Sequence, residues 1–138
     1  MQPVLLDTGV IFALLDRREW AHEECVRVLE GLHRPLATCE AVIAESCYLL
    51  RHRRDAMETV LSNVENGLFT IPFQLSRSTP QIQAILQKYR DTPADFADAC
   101  LIAMADELDT GDILTLDSDF KHYRWRRTRK FNLLIPLD

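Results

Sequence analysis

The stretch VLLDTGV, residues 4–10, places an aspartate directly after a short run of apolar residues. The apolar run predicts a buried strand, and the residues that follow, from Thr8 to Leu15, predict one or two helical turns. Asp7 therefore lies where a strand ends and a helix begins. Because a strand joined to a helix is the repeating unit of an α/β sheet, this stretch favours that class of fold.

The same alternation of apolar patterns continues along the chain. Further strands are predicted at residues 36–38, 68–73, 113–115 and 133–135, and helices at residues 21–32, 41–50, 57–64, 82–89 and from Thr92 onward. Pro72 indicates that its strand lies at an edge or ends there. The pattern predicts a three-layer α/β/α sandwich with a mainly parallel central sheet. Ligands of such sheets bind beyond the carboxyl ends of the strands.

Length and composition indicate one compact domain covering residues 1–138. The chain has 47% hydrophobic and 27% charged residues, the usual mixture of a folded protein. Its longest apolar stretch, residues 9–15, is too short to cross a bilayer, and no basic segment precedes the first apolar run. We therefore expect neither a membrane helix nor a signal peptide. The four cysteines form no C-x-x-C pair, which favours buried free thiols in a reducing cytoplasm.

The segment DTPADFADACLIAMADEL, residues 91–108, predicts a buried helix that carries a carboxylate. Thr92 is the predicted N-cap, Pro93 the first helical residue and Asp95 the acid that closes a capping box. Asp98 stands in the almost wholly apolar part. A buried carboxylate is costly unless it is paired, protonated or bound to a metal ion, so Asp98 is either the partner of an arginine or amide, or part of a site.

Three further acids occupy places where this fold could bring them to Asp98. Asp7 and Asp117 follow predicted parallel strands, and Glu45 lies on the helix after the second strand. Singly, the two aspartates could be helix caps and Glu45 a solvated surface residue. Together, converging carboxylates repel one another unless a cation lies among them. Oxygen ligands alone select Mg²⁺ or Mn²⁺, and such a site suits hydrolysis of a phosphodiester.

Four motifs in order along the chain resemble the acidic motifs of PIN-domain ribonucleases, in particular the VapC-like toxins of bacterial toxin–antitoxin pairs. They are VLLDTGVIFALLD, AVIAESCYLL, DFADACLIAMA and ILTLDSDF. The resemblance implies metal-dependent endonucleolytic cleavage of RNA, a homodimer, and an antitoxin that blocks the cleft. It implies that Asp7, Glu45, Asp98 and Asp117 bind the metal ion, that Thr8 and Thr115 orient them, and that Asp95 and Asp119 are accessory acids.

Two basic stretches suggest where RNA would bind, although the net charge of the chain is −5. Residues 121–130 contain six Lys or Arg, no acid and two aromatics, a mixture suited to phosphate contacts and base stacking. A solvated loop or a surface for an acidic partner would look the same. The first basic stretch is residues 51–54 and the second is residues 121–130. The predicted RNA-contacting residues are Arg51, Arg53 and Arg54 of the first stretch and Lys121, Arg124, Trp125 and Arg126 of the second.

Three other functions share some of these sequence features. Asp-Thr-Gly also occurs in retroviral-type aspartic proteases, but those are all-β chains with glycine-rich flaps, and this chain has four glycines in a mostly helical pattern. A haloacid-dehalogenase-like phosphatase needs a second aspartate where this chain has Gly9. A non-catalytic PIN-like module that binds RNA or protein would be expected to lack one or more of the acids, and all four are present.

Overall fold

A computed structural model of the chain describes residues 1–92 and 94–137. Within these residues there are seven strands and six α-helices. The strands are β1 (Val4–Leu6), β2 (Leu36–Ala37), β3 (Phe69–Thr70), β4 (Asp112–Leu114), β5 (Arg124–Trp125), β6 (Arg129–Lys130) and β7 (Asn132–Leu133). The helices are α1 (Thr8–Leu15), α2 (His22–Glu30), α3 (Glu40–Leu49), α4 (Arg54–Glu65), α5 (Leu75–Lys88) and α6 (Phe96–Leu108).

Five strands form the central sheet in the order β3-β2-β1-β4-β7, and each neighbouring pair is parallel. The sequence prediction of an α/β fold with a mainly parallel sheet is thus confirmed, as is the edge position of the strand that precedes Pro72. Because parallel crossovers are right-handed, the reversal of strand order at β1 places α1 to α4 on one face and α5 and α6 on the other. The remaining strands, β5 and β6, form a separate antiparallel hairpin.

The centre of the core is the pair of strands β1 and β4 together with α6. All three residues of β1 are completely buried, and its Leu5 pairs with Ile113 of β4. Helix α6 is buried from Ala97 to Ala105, and its small side chains let it pack closely against β1 and α5. The backbone N–H of Asp7 donates to Leu114 O at 3.0 Å, which extends the β1–β4 pairing to the strand ends.

The helix that carries Asp98 begins later than its sequence predicts. The N-cap is Asp95, not Thr92, and the first helical residue is Phe96. The predicted first helical residue, Pro93, lies outside the described residues. A capping box does exist, but it joins Asp95 to Asp98, since each side chain accepts a hydrogen bond from the other's backbone N–H.

Two other features bear on the sequence expectations. Among the helices that the structure describes, none is long and apolar enough to cross a membrane. All four cysteines are free thiols, and Cys25, Cys39 and Cys100 are buried, as expected from their apolar surroundings.

Candidate active site

Asp7 lies at the carboxyl end of β1, at the point where the strand order reverses. Its extended backbone makes it the N-cap of α1, and its Oδ1 accepts a hydrogen bond from Thr8 N at 2.8 Å. Its Oδ2 accepts from Thr115 Oγ1, just beyond β4, at 2.7 Å. The reversal of strand order opens a crevice between neighbouring strands, which is where ligands bind in open α/β sheets. Asp7 is therefore fixed on both oxygens at the edge of that crevice.

Asp98 is held in the first turn of α6. Its backbone N–H donates to Asp95 Oδ1 at 2.8 Å, and its own Oδ2 accepts a hydrogen bond from the Tyr123 hydroxyl at 3.0 Å. The side chain of Asp98 is buried, whereas Asp95 is exposed. No arginine pairs with Asp98 among the described residues. Its carboxylate is thus oriented by a phenol rather than neutralised by a cation.

Asp117 and Asp119 follow β4 in a short turn of 3₁₀ helix, Ser118–Lys121. Asp117 is the N-cap, and its Oδ1 accepts from Asp119 N at 2.9 Å. Its backbone N–H donates to Thr115 Oγ1 at 3.0 Å, and the same hydroxyl donates to Asp7. Thr115 therefore connects the first and last of the four acids by hydrogen bonds.

Glu45 reaches the same place from α3. Its Oε1 accepts a hydrogen bond from Thr8 Oγ1 at 2.7 Å, so Thr8 links this glutamate to the helix that Asp7 caps. Glu45 also lines a groove of about 500 Å³ between α3 and the start of α6, together with Asp95 and the half-exposed Phe96. The groove thus gives solvent access to Glu45 and Asp95.

The pKa values show that the acids feel one another's charge. Burial raises the pKa of Asp7 to about 6, and the charges of Asp117 and Glu45 add to the effect. Burial raises the pKa of Asp98 to about 7, with further contributions from the charges of Asp95 and Asp7. Burial and the charges of Asp119 and Asp95 likewise raise the pKa of Asp117. The four acids and both accessory acids thus form one electrostatic cluster at the carboxyl edge of the sheet.

The cluster has the chemistry of a site for a hard cation. It offers only carboxylate and hydroxyl oxygens, and it lacks the His and Cys ligands that softer metals prefer. A positive charge among the acids would relieve the mutual repulsion that adds to the effect of burial on the pKa values of Asp7, Asp98 and Asp117. Within residues 1–92 and 94–137, no three such side chains already stand at direct ligand spacing. An ion that keeps several of its own waters, as Mg²⁺ does, suits this wider arrangement.

Tyr123 is the residue of this site that sequence reasoning missed. Its sequence context is that of an aromatic residue in a basic stretch, but it is completely buried and its hydroxyl donates a hydrogen bond to Asp98. Its ring packs edge-on against Phe120 and Tyr89, with centroids 5.0 and 5.1 Å away. The sequence signal for its burial is the three-residue spacing between Phe120 and Tyr123, which places both aromatic side chains on the same face of one turn.

The predicted RNA-contacting residues fall into two separate regions. Arg53 donates to Leu15 O at 2.7 Å, at the end of α1 remote from Asp7, and Arg51 and Arg54 are exposed nearby. Seven residues of helix, roughly 10 Å, separate that end from the acids. The first basic stretch therefore lies away from the acidic cluster.

The second basic stretch lies close to the acids, but only some of its side chains are free to contact a ligand. Lys121 donates to Leu137 O at 2.9 Å and is exposed, and Arg124 directly follows Tyr123. Arg126 forms an ion pair with Asp109 at 3.0 Å. Trp125 is only 8% exposed, and its indole N–H donates to Lys130 O. Its predicted stacking on RNA bases is not supported, because the ring is packed inside the protein.

Comparison with known proteins identifies the family. The PIN domain family model matches residues 4–126. The chain is 29% identical, over 116 residues, to Ribonuclease VapC26 of Mycobacterium tuberculosis (strain ATCC 25618 / H37Rv), with 83% of this chain and 86% of that protein covered. The fold is similar to the crystal structure of Mycobacterium tuberculosis VapC20, described as a Sarcin-Ricin loop cleaving toxin. The TM-score is 0.79 and the identity 17%, over 86% of this chain and 93% of that chain. The chain belongs to the PIN-domain family.

Proposed function

We propose that this chain is a metal-dependent endoribonuclease that acts as the toxin of a toxin–antitoxin pair. The observation that carries the proposal is the cluster of four acids at the reversal of strand order. Thr8 and Thr115 link Asp7, Glu45 and Asp117 by hydrogen bonds, and Asp98 is close enough to Asp7 to feel its charge. The relative named as a ribonuclease aligns over most of both chains and supports the same activity. The structural neighbour supports the fold on which the cluster is built.

Each acid has a distinct part in this proposal. Asp7 and Asp98 are the most buried and would hold a Mg²⁺ or Mn²⁺ ion, while Asp117 and the more exposed Glu45 would complete its surroundings, in part through water. When bound, such an ion lowers the pKa of water and offsets the negative charge of a phosphodiester. The Tyr123 hydroxyl keeps Asp98 in one orientation, and its hydrogen bond favours the charged carboxylate that binding needs.

The partners belong to the proposal as well. We propose an RNA substrate that approaches along the groove beside Glu45 and Phe96, a homodimer, and a cognate antitoxin that blocks this groove. Free buried thiols such as Cys25 fit a reducing cytoplasm as the place of action. Light scattering of the purified protein measures the homodimer directly.

Cleavage of an internally labelled, partly single-stranded RNA tests the activity. Protein free of any partner is incubated with Mg²⁺, with Mn²⁺ and with EDTA, beside the variants Asp98→Asn and Asp55→Asn. Asp55 is an exposed aspartate at the start of α4 and serves as the matched control. We expect internal cuts only with metal, a loss on the order of 10²-fold or more in Asp98→Asn, and full activity in Asp55→Asn.

Two results would contradict the proposal. Equal cleavage by wild type and Asp98→Asn would show that the acidic cluster is not the site, or that a contaminating nuclease is present. No cleavage with either ion, on several RNAs, would favour the non-catalytic binding module.

A further inference from the structure

A cavity of about 350 Å³ lies between α5, α6 and the β5–β6 hairpin, a region to which the catalytic proposal assigns no role. Its walls are apolar and its rim is cationic. Ala84, Ile85 and Ile102 line the walls, and Lys88, Arg124 and Arg127 the rim. Its volume lies within the range of sites that bind small ligands.

The cavity adjoins the acidic cluster. Ile102 stands one turn after Asp98 on α6, an offset of roughly 6 Å along the helix axis. A second connection runs through Tyr123, which donates to Asp98 and packs against Tyr89 of the cavity wall. The Tyr89 hydroxyl in turn accepts from Arg124 N at 2.9 Å. The cavity is thus next to the side chains that hold Asp98 in place.

The rim carries positive charge that the described part of the protein does not neutralise. Within residues 1–92 and 94–137, Lys88, Arg124 and Arg127 form no ion pair with a carboxylate. The acid at the cavity, Asp106, accepts a hydrogen bond from Arg126 N. Three cations and one acid thus give the cavity a net positive charge in a chain whose net charge is −5, which favours an anionic ligand.

The hairpin turn that supplies Arg127 has an unfavourable backbone. Arg126 and Arg127 have φ values of 45° and 71°, in the left-handed region that glycine and asparagine tolerate best. Lys88 Nζ donates to Arg127 O at 3.1 Å and ties this turn to α5 at the cavity rim. Backbone strain of this kind persists where surrounding structure imposes it, often at binding sites. Here the strained position is occupied by Arg127, which places a cation at the cavity rim. Asparagine would fit this backbone with less strain but would carry no charge.

We propose that this cavity binds one nucleotide of single-stranded RNA that flanks the cleaved bond. The inference rests on the proposed function and names the part of the surface that holds the substrate. A base would lie against the apolar wall and Tyr89, and its phosphates would meet Lys88 and Arg127. The combination of an apolar wall, a cationic rim and nearby metal-binding acids favours a nucleotide over an acidic protein segment.

Binding without cleavage tests the site. Anisotropy of a fluorescent, random-sequence ten-nucleotide RNA is measured in EDTA over a range of salt, for wild type, Lys88→Ala, Arg127→Asn and Arg77→Ala. Arg77 is an exposed arginine on α5 outside the cavity and is the matched control. We expect Lys88→Ala and Arg127→Asn each to weaken binding about tenfold and to reduce the slope of log K against log salt by about 0.7, with Arg77→Ala unchanged.

A fourth variant separates the cavity from its charge. Ala84→Leu fills part of the wall from an exposed helical position without changing any charge. We expect it to weaken RNA binding severalfold and to leave binding of a labelled poly-glutamate peptide unchanged. Urea denaturation of every variant shows that the fold is retained, and Arg127→Asn should be at least as stable as wild type because asparagine tolerates that backbone.

Three outcomes would overturn the inference. The first is wild-type RNA affinity in both Lys88→Ala and Arg127→Asn, and the second is an equal loss of RNA affinity in Arg77→Ala. The third is loss of poly-glutamate binding in the two charge variants together with unchanged RNA binding in Ala84→Leu. That third outcome would indicate a surface that binds an acidic protein instead. Cleavage assays with Mg²⁺ keep the two proposals apart. Variants that cleave as wild type does contradict this inference alone. Specific loss of binding in a protein that never cleaves contradicts the nuclease proposal and leaves the cavity as an RNA-binding site without a cleaved bond beside it.

Discussion

Replacement of Asp7 by asparagine should stabilise the metal-free protein at neutral and alkaline pH. Asp7 is buried, and its pKa is raised from 3.8 to about 6 by that burial and by the charges of Asp117 and Glu45. A carboxyl with a raised pKa binds its proton more tightly in the folded state than in the unfolded one. Its ionisation therefore lowers stability as pH rises from about 4 through 6, and the whole penalty is present above about 7.

The size of the effect follows from the structure. The change from 3.8 to about 6 corresponds to about 3 kcal/mol, at about 1.4 kcal/mol for each tenfold change in proton affinity. Against this, Thr115 would lose the carboxylate to which it donates, and its oxygen already accepts from Asp117 N, at a cost of about 1 kcal/mol. We therefore expect Asp7→Asn to raise the free energy of unfolding by about 2 kcal/mol at pH 8.

Urea denaturation in EDTA between pH 4 and 8 measures this difference. The gain of Asp7→Asn over wild type should grow through pH 4 to 7 and then level off. Mg²⁺ at a hundred times its dissociation constant should stabilise wild type by about 2.7 kcal/mol, with a much smaller effect on the variant. If the stabilities of the two proteins changed in parallel with pH, or if the variant were less stable at pH 8, ionisation of the buried Asp7 would not be what destabilises the metal-free protein.

Two further substitutions test the surroundings of the site. Tyr123→Phe removes the hydroxyl that lowers the pKa of Asp98, so the acid limb of the pH profile for metal-dependent cleavage should move to higher pH; an unchanged limb would contradict that role. Gly111→Ala would drive a methyl group into the Trp125 indole and should cost about 1–3 kcal/mol in urea denaturation. Gly31→Ala, where the added carbon meets nothing closer than 3.8 Å, is its control and should change little.

The positions of the acids could be predicted from sequence because an acid that caps a helix and an acid that belongs to the site occupy the same places in this fold. The cap roles considered for Asp7 and Asp117 are present, whereas Asp95 is itself the N-cap of α6 and does not close a capping box begun at Thr92. Each of the three side chains accepts a backbone N–H at the start of a helical segment. These helical segments begin at the carboxyl edge of the sheet, so their caps necessarily gather there. A capping residue and a site residue are therefore not alternatives in this fold.

Element boundaries were predicted less well where proline interrupts the apolar pattern. Helix α5 begins at Leu75, seven residues before the predicted start, and continues through Pro80. Its buried Ser78 and Ile82 fix it against α6, and this tertiary packing outweighs the missing backbone donor. The packing of α5 against α6 cannot be predicted from the apolar pattern of one sequence.

The aromatic residues of the basic stretch show a different limit. Tyr123 and Trp125 alternate with arginines, which locally resembles a surface that stacks on bases. The pattern instead reflects a short strand with one face toward the core, because both rings are buried while Arg126 is exposed. The residues that hold these rings inside the protein are distant in sequence. Asp98 accepts a hydrogen bond from the Tyr123 hydroxyl, and Gly111 leaves room for the Trp125 indole. The cations that remain outside, rather than the aromatics, are thus the part of this stretch available to a ligand.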